Sequence, residues 1–259
     1  MTALQTIAAG FQVSTCIGRH SSAILGTVQE IRLGRQNLNL GYGTVASVGK
    51  NWDGINLINK QGNSTWSAGY FIRSDWRHRR YFFLSNTTQL TPDLEIKTSY
   101  FKDSKSRIAD TSAKNNGESL YNVVSFGGQY KFHAPFTLKA EFAHNKGNSV
   151  YPASNGYHIQ LNYRETNLAK RGTWTTWLQY RNMDTGFNPM GFSELKEPIK
   201  MSTDATINSA AEGVHGFEYG FSYVPLKSML ATLKLWSLHH YDVQRSQFGT
   251  ALQFEYLWR

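Results

Sequence analysis

The sequence has no apolar run approaching the roughly 18–20 residues that a membrane-spanning helix needs, and its mean hydropathy is −0.45. A helical membrane protein is therefore excluded. It has one cysteine, Cys16. A single thiol rules out an internal disulfide framework, and no Cys/His set has the spacing of a zinc site. The start of the chain lacks the basic head of an export signal, and Gln5 and Gln12 interrupt its apolar residues. Val13-Ser14-Thr15-Cys16 is only faintly similar to a lipoprotein cleavage site. The expectation is either mature numbering or a chain truncated at its start. Acidic residues are also in deficit, with 18 Asp+Glu against 27 Lys+Arg and a net charge of +9. A nucleic-acid binder can have that balance. Here the basic residues are spread through strand-like segments instead of gathered on one helix, so no nucleic-acid partner is expected.

What the chain has in quantity is aromatic side chains and glycine: 14 Tyr, 15 Phe, 7 Trp and 22 Gly, against only 6 Pro. An outer-membrane β-barrel is polar on average, because lipid-facing and water-facing residues alternate and cancel. A soluble all-β protein gives a similar mean, so composition leaves both open.

Alternation carries the argument further. In Leu252 to Arg259 one face holds Leu252, Phe254, Tyr256 and Trp258, and the other Gln253, Glu255, Leu257 and Arg259. Period-two alternation marks a strand between two different media. The same pattern recurs in Phe217 to Tyr223, Tyr157 to Arg164, Trp174 to Arg181, Val124 to Phe132 and Leu94 to Tyr100. Weaker copies lie near 28–36, 54–61, 64–74, 81–91, 137–145 and 229–241. The expected fold is all-β, an antiparallel transmembrane β-barrel of about twelve strands. It spans 28–259, with 1–27 as an N-terminal segment or partial strand through Phe11, Val13, Thr15 and Ile17.

A soluble sandwich produces the same alternation. Two features favour the membrane. Tyr, Trp and Phe dominate the apolar face, as interfacial girdles require. Connections also alternate in length. Short turns at Gly62-Asn63, Pro92-Asp93, Ala134-Pro135, Asn167 to Gly172 and Leu226 to Ser228 separate longer loops near 37–53, 75–80, 103–118, 146–156, 184–214 and 242–248. Tight periplasmic turns and larger extracellular loops follow this rule. A lectin-like soluble β-protein is the non-membrane alternative.

Three segments carry a family resemblance. They are Ile31 to Gln36 with Leu40-Gly41-Tyr42-Gly43 and Asp53-Gly54; Gly216 to Ser228 with Leu233-Lys234-Leu235; and the closing Ala251 to Arg259. Together they resemble the C-terminal barrel of the S-layer-homology-domain porins of Gram-negative Firmicutes. The resemblance implies an outer-membrane porin, a homotrimer, sixteen strands and an N-terminal peptidoglycan-binding module. Against sixteen strands, the chain reads either as a complete smaller barrel or as one truncated at its N-terminus. If four strands are missing from the front, residues 37–53 are the third extracellular loop, which narrows the pore in general porins.

Residues 37–53 are accordingly expected to bend toward the lumen as a constriction loop. Gly41 and Gly43 allow sharp turns, Trp52 anchors the return, and Asp53 re-enters a strand. By parity the inward faces carry Arg32, Lys97, Lys131, Lys139, Arg164, Arg181 and Lys234, against Glu30, Glu95, Glu141, Glu218 and Glu255. On the lipid face an Arg or Lys at midplane costs about 2–4 kcal/mol, so these charges belong to the lumen. They either set a mild anion preference or pair with one another across strands.

Catalytic chemistry finds no support. None of the eight histidines, at 20, 78, 133, 144, 158, 215, 239 and 240, sits in a Ser or Cys nucleophile motif. His239 and His240 fall on opposite strand faces, a poor geometry for one metal. Gly41-Tyr42-Gly43 lacks the remainder of a dinucleotide fingerprint and reads as a flexible loop. Arg77-His78-Arg79-Arg80 is either a lipopolysaccharide phosphate contact or a solvated loop. No cofactor or metal is expected. The resulting expectation is a passive outer-membrane channel for small hydrophilic solutes and ions, in contact with lipids and lipopolysaccharide. The alternatives are a twelve-stranded channel for acidic sugars and an autotransporter-type translocator barrel.

Overall fold

The computed structural model describes residues 30–73, 79–104, 118–148, 151–188, 213–241 and 246–256. Among them are twelve strands and no helix. These are β1 (Glu30–Leu40), β2 (Ala46–Gln61), β3 (Ser64–Arg73), β4 (Arg80–Thr91), β5 (Leu94–Asp103), β6 (Asn122–Phe132), β7 (Phe136–Asn145), β8 (Ser154–Tyr163), β9 (Trp174–Met183), β10 (Val214–Tyr223), β11 (Met229–His240) and β12 (Ser246–Tyr256). They form one antiparallel sheet in sequence order. Every alternating segment in the sequence is a strand here. The expected partial strand in 1–27, with Cys16, lies outside the described residues, as do Arg77, His78, the histidine at 20 and the closing Leu257-Trp258-Arg259.

Register sorts the side chains by face, because a one-residue slip would move every side chain to the other side. One row crosses β5 to β9 as Lys97, Gly127, Glu141, His158 and Arg181. The adjacent row continues to β10 as Glu95, Gln129, Lys139, Gln160, Gln179 and Glu218. The opposite face carries Phe126, Phe142, Ile159, Leu178 and Phe217, each at least half exposed. A large apolar surface of this kind requires an apolar medium or a partner.

At the short-turn end of that apolar face, aromatic rings follow one another across five strands. Tyr130 stacks on Phe132 at 6.2 Å, Phe132 on Phe136 at 5.9 Å, and Phe136 meets Tyr163 at 4.9 Å. Tyr163 reaches Trp174 at 5.7 Å, and Trp174 reaches Phe221 at 5.9 Å. This belt has the form of the interfacial girdles of membrane barrels.

The polar face is not polar throughout. In its long-connection half lies a buried cluster that includes Trp52, Phe71, Tyr81, Phe83, Phe101, Tyr121 and Val123. Trp52 is fully buried and meets Tyr81 edge to face at 4.8 Å. The sequence marks this half by runs in which alternation fails, such as Tyr81-Phe82-Phe83 and Tyr100-Phe101. There both faces of the strand are apolar, so a uniformly wet lumen is not what the fold builds.

The largest departure from expectation concerns 37–53. Instead of an open loop, the segment is mostly a paired hairpin. Leu38 faces Val48, and Leu40 faces Ala46 across a tight turn at 41–45. The ladder is interrupted between Gln36 and Leu38, where the register shifts. An irregularity of this kind bends a strand out of the sheet. Leu38, Leu40, Val45 and Ala46 are buried in the aromatic cluster, and this apolar burial holds the hairpin down.

Candidate functional site

The tip of that hairpin lies against the polar face far from its own strands. Glu141 of β7 accepts hydrogen bonds at Oε2 from the backbone N–H groups of Tyr42, at 2.8 Å, and Thr44, at 3.1 Å. The Thr44 hydroxyl is 2.9 Å from Nδ1 of His158 on β8. The Tyr42 hydroxyl donates to Oε1 of Glu95 on β5 at 2.9 Å. Lys97 Nζ lies 4.4 Å from the centre of the Tyr42 ring and 3.5 Å from Glu95. The tip thus spans β5 to β8.

Strand spacing turns these contacts into a statement about shape. Six strand intervals separate β2 from β8, about 29 Å in a flat sheet at roughly 4.8 Å each. From the irregularity at Gln36 the hairpin reaches only about 20 Å at roughly 3.3 Å per residue. The contacts close only if the sheet curls with its polar face concave. The hairpin therefore crosses the hollow of the sheet.

Two glycines make the contact possible. Gly41 has φ +66°, and a side chain there would collide with the Glu141 carboxylate. On the receiving wall, a Cβ at Gly127 would lie 2.9 Å from the Tyr42 ring. Glu141 is 2 % exposed and His158 3 %. Burial, reinforced by the Glu95 carboxylate, pushes the Tyr42 phenol up from its ordinary pKa, so it remains protonated and a donor. Tyr42→Phe removes one hydrogen bond to a carboxylate and keeps the ring over Lys97. The expected cost to hairpin docking is about 1.5–3 kcal/mol, read as faster amide hydrogen exchange at 41–45. Unchanged exchange would show that the hydroxyl bond is idle.

The sequence-derived lining residues divide into several groups. Arg32, Lys97, Lys131, Lys139, Arg181, Lys234, Glu30, Glu95, Glu141, Glu218 and Glu255 all fall on the concave face by register. Many are paired. Arg32 bonds Glu30 at 2.7 Å, and Lys131 meets Glu165 at 3.2 Å. Arg181 and Glu218 form a buried ion pair, and Trp177 Nε1 donates to Glu218 at 3.3 Å. Lys60 joins the same face, which the weak alternation of its strand hid.

Arg164 sits one residue beyond the end of β8 at Tyr163 and lines the same hollow as Lys139 and Lys234. Arg164 has φ +65°, so the alternation stops there. Its guanidinium lies 4.5 Å from the Trp174 ring and 5.6 Å from the Tyr163 ring, at the short-turn rim. Of the constriction residues, Gly41 and Gly43 are in the tip and Trp52 sits in the cluster beneath the hairpin. Asp53 points the other way, paired with Arg35 at 3.0 Å on the apolar face.

Arg79 is corrected. It is neither solvated nor open to a phosphate, but 1 % exposed and bonded to Asp103 at 2.6 Å and to the Glu118 carbonyl at 2.8 Å. Local sequence held no signal for this pair or for the Tyr42, Thr44 and His158 contacts, since the partners lie in distant strands.

No family model and no curated protein matches the sequence. Solved structures do match in shape. Pseudomonas aeruginosa OccK11 aligns with a TM-score of 0.52 at 12 % identity, over 81 % of this chain and 60 % of that one. A Rh. blastica porin variant aligns at 0.51 and 9 % identity, over 87 % and 73 %. Pseudomonas aeruginosa OccK10 aligns at 0.55 and 9 % identity, over 86 % and 67 %. The fold is a porin fold. The chain spans 60 % of the length of OccK11, so it matches part of that porin's sheet.

Proposed function

We propose that the chain is an outer-membrane porin: a passive aqueous channel for small hydrophilic solutes and ions, with a mild anion preference and no catalytic role. The observation that carries this reading is the hairpin tip at 41–45, which crosses the concave face and bonds Glu95, Glu141 and the His158 ring. A polypeptide finger fastened across the hollow of a curled sheet narrows whatever path runs through it. The exposed apolar face and its aromatic belt suit a bilayer, and the short-turn end then lies at the periplasmic surface. Contact with lipopolysaccharide phosphates is supported by the exposed charges of Arg80 and Lys102 at the opposite rim. The resemblance to S-layer-homology porins adds the homotrimer to this reading.

Among the concave-face charges, Glu30, Glu95 and Glu218 each have a basic neighbour within 4.0 Å, and Glu141 is occupied by backbone N–H groups. Lys234 has no acidic partner among the described residues. The residual field is positive and small, and salt at 0.15 M screens it beyond about 8 Å. In planar bilayers the protein should pass current in steps without ligand or energy input. The reversal potential under a salt gradient should show weak anion preference. Replacing Arg32 and Lys234 with Gln should move it toward cations, most visibly in dilute salt. Strong cation selectivity of the unchanged protein, or no conductance, would sink the proposal.

One observation favours acidic sugars as the solute. A second hollow of about 460 Å³ is lined by Lys139, Arg164 and Lys234 together with neutral Gln129, Gln160 and Asn162, and its two acids, Glu165 and Glu218, are paired with Lys131 and Arg181. Uronate should then block the current at lower concentration than the matching neutral sugar.

A further inference from the structure

Lys170 and Arg171, basic residues of the turn that follows Arg164 at the short-turn end, are not explained by a diffusion path. We infer that they build a phosphate-binding site at that rim. A cavity of about 710 Å³ opens between the turns at 133–135 and 164–173, beside Asp93. Lys131 from β6, Arg164 from the end of β8, and Lys170 and Arg171 from the following turn all line it. Its acids are Asp93 and Glu165, of which Glu165 is engaged by Lys131 at 3.2 Å. Arg164, Lys170 and Arg171 form no ion pair among the described residues. Their charges are left over for a ligand.

Geometry points to phosphate rather than carboxylate. A planar carboxylate is satisfied by one guanidinium through two parallel bonds. Here the free donors, Arg164 at the end of β8 and Lys170 and Arg171 in the turn beyond it, flank one hollow beside Lys131, which suits the several acceptor oxygens of a tetrahedral anion. The Arg164 guanidinium is held over the Trp174 ring at 4.5 Å, which fixes its plane while leaving its N–H groups free to donate. The Arg164 N–H to Pro135 carbonyl bond, at 2.8 Å, ties the two turns together and keeps the cavity walls in place.

Position adds a second argument. Phe136 and Trp174 line the cavity and also belong to the aromatic belt. Such belts sit at head-group depth, where bilayer phosphates lie. The phosphate can therefore come from an anionic lipid head group or from a phosphorylated solute at the mouth. The chemistry is the same, and experiment separates the two.

Full-length protein equilibrated in detergent with phosphatidylglycerol and a phosphate-free glycolipid is assayed by native mass spectrometry. Retention of phosphatidylglycerol over the glycolipid is expected. Arg171→Gln, in an exposed turn, should weaken it about tenfold, and the double change with Arg164→Gln about a hundredfold, since each removes a charged hydrogen bond. Calorimetry with inorganic phosphate and acetate forms the second arm. Phosphate binding without lipid preference assigns the site to a solute; lipid retention that millimolar phosphate does not displace assigns it to the head group. Retention or phosphate binding equal in the wild type and both variants overturns the proposal, as does acetate binding as tight as phosphate. Channel activity enters neither arm, so failure here leaves the porin reading standing.

Discussion

Asp103→Ala should lower the unfolding free energy by about 3–5 kcal/mol, the usual cost of stripping one partner from a buried ion pair. Asp103 closes β5 and is 1 % exposed. It takes the Arg79 guanidinium at 2.6 Å, the Ser119 hydroxyl at 2.7 Å, and the N–H groups of Leu120 and Tyr121 at 2.9 and 2.8 Å. One carboxylate thus fastens the start of β4, the end of β5 and the approach to β6. The alanine leaves a guanidinium that is also 1 % exposed with its charge uncompensated and two backbone donors unpaired. Asp103→Asn should cost less, because an amide oxygen still accepts from the chain. Asp53→Ala is the internal control: the same residue type, also paired with an arginine, but exposed on the opposite face. Urea unfolding followed by tryptophan fluorescence separates the three. Equal midpoints for Asp103→Ala and Asp53→Ala would show that burial of the first pair contributes nothing.

That contrast also shows what the sequence could and could not disclose. Strand existence was legible because each strand separates two media, and the alternation of Phe217 to Tyr223 or Tyr157 to Tyr163 is local. The short turns were legible from Gly62-Asn63, Pro92-Asp93 and Ala134-Pro135, whose chemistry is equally local. Trp52 could be named as an anchor because a large aromatic amid glycines must pack on something. Its partners, Phe71, Tyr81 and Phe101, come from three further strands and leave no mark beside it. Arg79 was misplaced for one reason. Sequence shows a charge and a parity, whereas burial and backbone turning decide where the charge ends up. The pairing of 38–40 with 46–48 was missed because glycines at 41 and 43 read as looseness. Here their freedom serves a tight turn seated on a wall 99 residues away, at Glu141.

Glu141→Ala is expected to undock that turn and produce the largest change in channel behaviour. The carboxylate oxygen Oε2 accepts from both Tyr42 N–H and Thr44 N–H and so fastens the tip backbone to the wall. Each bond to a charged acceptor contributes about 1.5–3 kcal/mol, so losing both shifts the docked-to-undocked ratio by a hundredfold or more. Apolar burial of Leu38, Leu40, Val45 and Ala46 still holds the base of the hairpin. The tip alone is freed, while the sheet and its register persist. Bilayer recordings should therefore show higher mean conductance and frequent transitions between levels, with unfolding by urea little altered. Glu141→Gln distinguishes charge from shape. Its amide oxygen can take one of the two donors, so it should fall between wild type and alanine. Gly41→Ala reaches the same open state from the other side, because its Cβ would occupy the space of the carboxylate. If all three variants conduct as steadily as the unchanged protein, the tip does not define the narrowest point of the path, and the buried aromatic half of the concave face must be sought as the barrier instead.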